Sequence, residues 1–128
     1  MTRVLVIDDD EINNFTVDAI LSRTDFIHEY EIKDGGWSAL EYLQQTEDSG
    51  TYPTLIFVDI NMPEMDGYEF LERYEHKFWS KHKDTRVYML SSSISEADKE
   101  KALSYDCIYE YITKPLSRTK LSKIVSEE

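Results

Sequence analysis

A doubly wound α/β domain around a parallel five-stranded sheet is the architecture this 128-residue chain predicts. Apolar runs nearly free of charge alternate with stretches of helical periodicity, and acids, hydroxyls or a lysine follow the runs. Four runs read as strands covered on both faces: Val4–Ile7, Leu55–Val58, Val87–Leu90 and Ile108–Ile112. Each is short and rich in β-branched or aromatic residues, as strands under helices must be. A further strand near Ile27–Ile32 alternates apolar and polar residues, so it is expected at an edge of the sheet.

Helices are predicted between these strands. Ile12, Phe15, Ala19 and Ile20 mark the apolar face of a first; Trp37, Leu40, Tyr42 and Leu43 mark a second. Tyr68, Leu71, Tyr74 and Phe78 mark a third, with Asp66 as its N-cap. Ser95 to Asp98 has the spacing of a capped fourth, and Ser117 caps a fifth carrying Leu121, Ile124 and Val125. A β-α unit repeated five times, with right-handed crossovers, places helices on both faces of one sheet. Glu47 to Pro53 reads as a flexible surface loop before the third strand, not a domain linker.

The length suits one domain, with 41% hydrophobic and 31% charged residues. A net charge of −12 opposes binding to nucleic acid and to anionic membrane, and suits Mg²⁺ and basic partner surfaces. The acidity also serves solubility. The lone Cys107 permits no internal disulfide and is expected to be a buried, inert thiol. With no signal peptide evident, the expected location is the reducing cytoplasm. No apolar run is long enough to span a bilayer.

Ligands of open α/β sheets sit beyond the carboxyl ends of the strands, so the residues just past each run carry the chemistry. Asp8-Asp9-Asp10 follow the first run, Asp59 follows Leu55–Val58, Ser91-Ser92 follow Val87–Leu90, and Lys114-Pro115 follow Ile108–Ile112. Taken singly, each has an ordinary reading: acids favour helix N-termini, Ser caps helices, and Lys-Pro marks a turn. Together they suit phosphoryl transfer to a carboxylate. Hard oxygen ligands hold Mg²⁺, a carboxylate can form an acyl phosphate, and a lysine can offset the charge on the far side of the phosphoryl group.

The segment Asp59-Ile60-Asn61-Met62-Pro63-Glu64-Met65-Asp66-Gly67 resembles the phosphoacceptor segment of the receiver domains of two-component response regulators. Val4 to Asp10 is similar to that family's opening strand and acidic pair, and Tyr111 to Leu116 to its closing motif. The likeness covers essentially the whole chain, as a single receiver domain over residues 1–128 without an output domain. It implies the flavodoxin-like strand order 2-1-3-4-5 and a commonly cis Lys114–Pro115 bond. It also implies residue roles. Asp59 would accept the phosphoryl group, and Asp8, Asp9, Asp59 and the backbone carbonyl of Asn61 would hold Mg²⁺, or alternatively Mn²⁺. Ser91 would be the switch hydroxyl, Lys114 the phosphoryl-contacting cation and Tyr111 the aromatic switch. The implied partners are a histidine kinase or histidine phosphotransfer protein, and a downstream protein on the face of the fourth helix, fifth strand and fifth helix, where Tyr105 and Tyr109 add aromatic surface. Such a domain is a phosphorylation-dependent switch, not a turnover enzyme.

Three departures stand out: Ser91 where the family most often has Thr, Ser92 where it often has Ala, and Asp106 where Gly is common at the end of the fourth helix. The last would be a poor fit to a left-handed residue. Two other classes compete on the residues alone. A haloacid-dehalogenase-type phosphatase would use the Asp8-x-Asp10 spacing and take label on Asp8. A flavodoxin-like cofactor binder would need a phosphate loop after the first strand, where three acids stand instead.

Overall fold

The computed structural model describes residues 1–127. The elements alternate without interruption: β1 (Thr2–Ile7), α1 (Glu11–Ser22), β2 (Ile27–Lys33), α2 (Gly36–Ser49), β3 (Leu55–Val58), α3 (Gly67–Lys77), β4 (Arg86–Ser91), α4 (Glu96–Leu103), β5 (Ile108–Thr113) and α5 (Arg118–Ser126). A short 3₁₀ turn, Trp79–Lys81, links α3 to β4. All strand pairings are parallel and the order is β2-β1-β3-β4-β5. The chain reverses direction across the sheet at β1 and β3, which opens a crevice at their carboxyl ends.

The pleat sorts the core into two halves. Leu5, Ile7, Ile56, Val58, Val87 and Met89 face α2, α3 and α4, where they meet Ala39, Leu43, Phe70, Leu71, Tyr74 and Ala102. Val4, Val6, Leu55, Phe57, Tyr88 and Leu90 face the other way, onto Val17, Leu21, Leu121 and Ile124 of α1 and α5. This period-two division explains why the central strands read as unbroken apolar runs. The predicted caps are present: Asp66 accepts Glu69 N–H at 2.8 Å, Ser95 accepts Asp98 N–H at 3.4 Å and Ser117 accepts Lys120 N–H at 3.1 Å.

Five expectations need correction. The apolar stripe assigned to α1 is wrong at Ile12 and Phe15, while Ile20 does pack against the core. Ile12 and Phe15 are 82% and 79% exposed, whereas Val17 and Leu21 face the core. In the first turn the sheet-facing positions belong to Asn13 and Asn14, whose amides bond Asp8, so polar residues there hid the true stripe. Ile12→Ser or Phe15→Ser is therefore expected to change unfolding free energy by less than about 0.5 kcal/mol in a urea titration. A loss of several kcal/mol would restore the original assignment.

β5 is an edge strand, not one covered on both faces; Tyr109, Glu110 and Thr113 are exposed along it. The segment Glu47 to Pro53 is not an open loop. α2 continues to Ser49, Gly50 ends it at φ 77°, and Pro53 is buried. Glu47 holds Lys81 at 3.1 Å and His82 at 2.6 Å, and the Tyr52 ring stacks on His82 at 3.6 Å. Asp106 needs no left-handed backbone: α4 ends on Ser104 in right-handed geometry, and among the described residues Glu64 is the one non-glycine with positive φ. Trp37, placed on the apolar face of α2, is 52% exposed and stacks under the Arg73 guanidinium at 4.5 Å.

Candidate functional site at the carboxyl edge of the sheet

Backbone hydrogen bonds extend the ladder one residue past the strands and so fix the acids. Asp8 N–H donates to Lys33 O at 3.0 Å, and Asp59 N–H donates to Ile7 O at 2.9 Å. Both carboxylates are thereby held side by side at the topological switch point. Asp8 is fully buried and Asp59 is 6% exposed, while Asp9 opens to solvent. Carboxylate oxygens of Asp8, Asp9 and Asp59 all lie within 4.8 Å of one another.

Lys114 enters from the end of β5. Its N–H donates to Ser91 O at 2.8 Å, and the Lys114–Pro115 bond is cis. Its ammonium lies 2.6 Å from Asp8 Oδ2 and 3.6 Å from Asp59 Oδ1. Burial pulls the Lys114 pKa down, but the hydrogen bond and charge of Asp8, helped by Asp59 and Asp10, outweigh it and leave the net value raised. Asp59 behaves in the opposite sense to an ordinary surface carboxylate. Burial and then the Asp8 charge push its pKa up to about 6, with Lys114 opposing.

Asp8 makes two further hydrogen bonds. Its Oδ1 accepts Asp10 N–H at 3.0 Å, and its Oδ2 accepts the Asn13 amide at 2.9 Å. Asp10, the third acid of the run, is the N-cap of α1 and accepts Ile12 and Asn13 N–H. The ordinary reading of an acid run thus holds for Asp10, while Asp8 and Asp9 join the cluster.

Gly67 is where a side chain is forbidden. A Cβ there would press on the Asp59 carbonyl and lie 2.9 Å from Ile60 Cα. The close approach lets Gly67 N–H donate to Ile60 O at 2.7 Å, which seats the start of α3 directly behind the acid. Asn61 lies exposed in the same β3–α3 connection. Ser91 is buried at the end of β4, and its Oγ accepts Ser93 N–H at 3.1 Å. Tyr111 is half-buried, and its hydroxyl donates to Ser93 O at 2.9 Å. Asn13, Asn14 and Ser93 were not anticipated as site residues. The only available signal was a polar Asn pair interrupting the apolar spacing of α1 just after the acids.

Away from this edge, Cys107 is buried, and burial pushes its thiol pKa far up, with Glu75 adding to the effect. Among the described residues no helix is long and apolar enough to cross a membrane.

The fold that brings these three carboxylates and one lysine to a single edge is shared with known proteins. The family profile for the response regulator receiver domain matches residues 4–126. Protein PilG of Pseudomonas aeruginosa is 34% identical over 121 residues, covering 93% of this chain and 81% of that protein. The solved structure of a two-component response regulator from Cytophaga hutchinsonii superposes with a TM-score of 0.90 at 31% identity, over 99% of this chain and 96% of that one. The Mn²⁺-bound form of response regulator Rcp1 superposes with a TM-score of 0.74 at 27% identity, over 99% and 91% of the two chains. Fold, strand order and the span of the match all agree, and the chain belongs to the response regulator receiver domain family.

Proposed function

We propose that the chain is a phosphoacceptor switch that takes a phosphoryl group on Asp59. The observation that carries this reading is the Lys114 ammonium, poised 2.6 Å from Asp8 and 3.6 Å from Asp59, opposite an open acid, Asp9. A phosphoryl group on Asp59 would meet a fixed cation on one side and a divalent metal locus on the other.

The donor set suits a hard divalent ion. Three carboxylates with oxygens within 4.8 Å of one another repel unless a cation neutralises them, and that repulsion adds to burial in raising the pKa of Asp59. Asp8, Asp9, Asp59 and the backbone carbonyl of Asn61 would hold Mg²⁺, with Mn²⁺ as the alternative; the Mn²⁺-bound form of Rcp1 supports a metal at this site. When bound, the ion supplies charge neutralisation for the incoming phosphoryl oxygens.

The chemistry of the chain itself is simple. An ionised Asp59 oxygen attacks phosphorus, an acyl phosphate P–O bond forms, and the P–N bond of a phosphohistidine donor, or the P–O bond of acetyl phosphate, breaks. The departing imidazole nitrogen takes up a proton, or acetate leaves as the anion. Lys114 then binds a phosphoryl oxygen, and Ser91 turns to donate to another. Tyr111 and the α4–β5–α5 face respond as a bistable element. The partners are a histidine kinase or histidine phosphotransfer protein, and a downstream protein met on that face, where Tyr109 is exposed. Neither nucleic acid nor membrane is a direct partner of so acidic a chain, and a cytoplasmic setting suits the buried, unpaired Cys107.

Asp8 is a poor nucleophile for the phosphatase alternative. It is fully buried, and its oxygens are held in place by Asp10 N–H, Asn13 and Lys114. The test is intact mass after incubation with acetyl phosphate and Mg²⁺. The wild type is expected to gain one phosphoryl group and Asp59→Asn none; label on Asp8 would overturn the assignment.

A further inference from the structure

The loop after β4 joins the switch hydroxyl to the rest of the domain through one residue. Ser93 N–H donates to Ser91 Oγ at 3.1 Å, and Ser93 O accepts the Tyr111 hydroxyl at 2.9 Å. The Ser93 hydroxyl donates to Asp98 Oδ2 at 2.6 Å and accepts Ser95 N–H at 3.2 Å. Asp98 stands in the first turn of α4. The Tyr68 hydroxyl of α3 donates to it, at 3.3 Å from the backbone oxygen and 3.5 Å from Oδ1. Tyr68 stays protonated under all working conditions, because burial and the Asp98 charge push its pKa up to about 12. Its ring is fixed by stacking on Tyr105 and by Lys101 above it at 4.1 Å.

Ser93 therefore spends each polar atom on a different element: β4 through its N–H, β5 through its carbonyl, and α4 through its hydroxyl. If Ser91 Oγ turns toward a phosphoryl group on Asp59, Ser93 N–H loses its acceptor. A half-buried donor left unpaired is unfavourable, so the loop must move to find another partner. Moving Ser93 pulls on Tyr111 and, through a short charge-assisted bond, on Asp98.

We propose that Ser93 and Asp98 are positioning residues that couple the rotamer of Ser91 to the first turn of α4 and to Tyr111, with Tyr68 fastening Asp98 to α3. This rests on the phosphoacceptor reading of Asp59. None of the three belongs to the motif residues through which the chain resembles its family. The coupling is a property of this side-chain set, since it needs a hydroxyl at 93, an acid at 98 and a phenol at 68 together.

The test follows backbone amide resonances of the ¹⁵N-labelled full chain before and after acetyl phosphate and Mg²⁺, with intact mass on the same samples. Ser93→Ala, Asp98→Ala and Tyr68→Phe are compared with the wild type, and Ser93→Thr serves as the conservative rescue. All five proteins are expected to gain the phosphoryl group, with undiminished amide changes beside Asp59. Changes across Glu96–Leu103 should shrink about threefold or more in Ser93→Ala and Asp98→Ala, less in Tyr68→Phe, and recover in Ser93→Thr. Tyr68→Phe keeps its ring stack, so it reports on the link even where Asp98→Ala loosens α4. Full α4 changes in loaded Ser93→Ala and Asp98→Ala would overturn the proposal alone. No mass gain in the wild type would instead fail the phosphoacceptor reading, and the coupling with it.

Discussion

Lys114→Ala is expected to slow phosphoryl uptake from acetyl phosphate by roughly 10²–10³-fold, the usual loss when one preorganised charge-stabilising donor is removed from a reacting site. The cation lies 3.6 Å from Asp59 Oδ1, so any phosphoryl group bonded to Asp59 would lie within its reach. The same substitution should also change stability. Lys114 is 14% exposed and its principal partner Asp8 is wholly buried. Removing one member of such a pair leaves an unmatched buried charge, which costs about 3–5 kcal/mol. Asp8 retains its bonds to Asp10 N–H and Asn13, so the lower half of that range is expected. Mg²⁺ should restore part of the loss, because a bound divalent ion supplies the missing positive charge to the same acids. Urea midpoints with EDTA and with Mg²⁺ measure both terms. Lys114→Ala with wild-type uptake and unchanged metal-free stability would remove the lysine from the site. Lys114→Arg is not a neutral control, since a planar fork replaces a compact ammonium in a space shaped by two carboxylates.

Both effects follow from sequence features that were readable, and it is instructive which features were not. The boundary between an apolar run and the polar residue after it is local along the chain. Asp8, Asp59, Ser91 and Lys114 could therefore be placed at strand ends, and the structure puts them there. The family motifs supplied the strand order and the cis bond, which periodicity alone does not encode. What failed depended on the third dimension. In α1, Ile12 and Phe15 drew the predicted stripe toward the face opposite to the buried one. The true stripe begins with Asn13 and Asn14, which serve Asp8 instead of the core. In β5, an apolar-looking run lies at the sheet edge, a position that composition does not reveal. Glu47 looked like loop because of the Gly50 and Pro53 beyond it, yet it is pinned by Lys81 and His82 from another element. The link from Ser93 through Asp98 to Tyr68 joins residues up to 30 positions apart. Before the fold is known, each has a sufficient local explanation: a loop serine, a first-turn acid and an apolar helix position.

Asp59 itself is expected to destabilise the metal-free domain at neutral pH. Its pKa is raised from 3.8 to about 6, by burial first and the Asp8 charge second. The unfolded chain releases this proton near pH 4, whereas the folded chain keeps it until about pH 6. Between those values the folded state binds more protons, so this group's contribution to stability falls as pH rises, and it levels off above about pH 6. A rise of that size corresponds to about 3 kcal/mol at most. The site opens to solvent on the Asp9 side, and screening brings the expectation to about 1–2 kcal/mol. Other acids titrate in the same range, so the informative quantity is the difference between wild type and Asp59→Asn. In EDTA at pH 7.5 the Asn variant should be the more stable of the two by that amount. The gap should narrow as pH falls from 6 toward 4. Mg²⁺ should reverse the order at pH 7.5, since it binds the folded wild type through a carboxylate that the variant lacks. A wild type as stable as Asp59→Asn in EDTA at pH 7.5 would mean that the three acids are not strained together. The electrostatic case for a metal at this edge would then fail, whatever the outcome of phosphorylation.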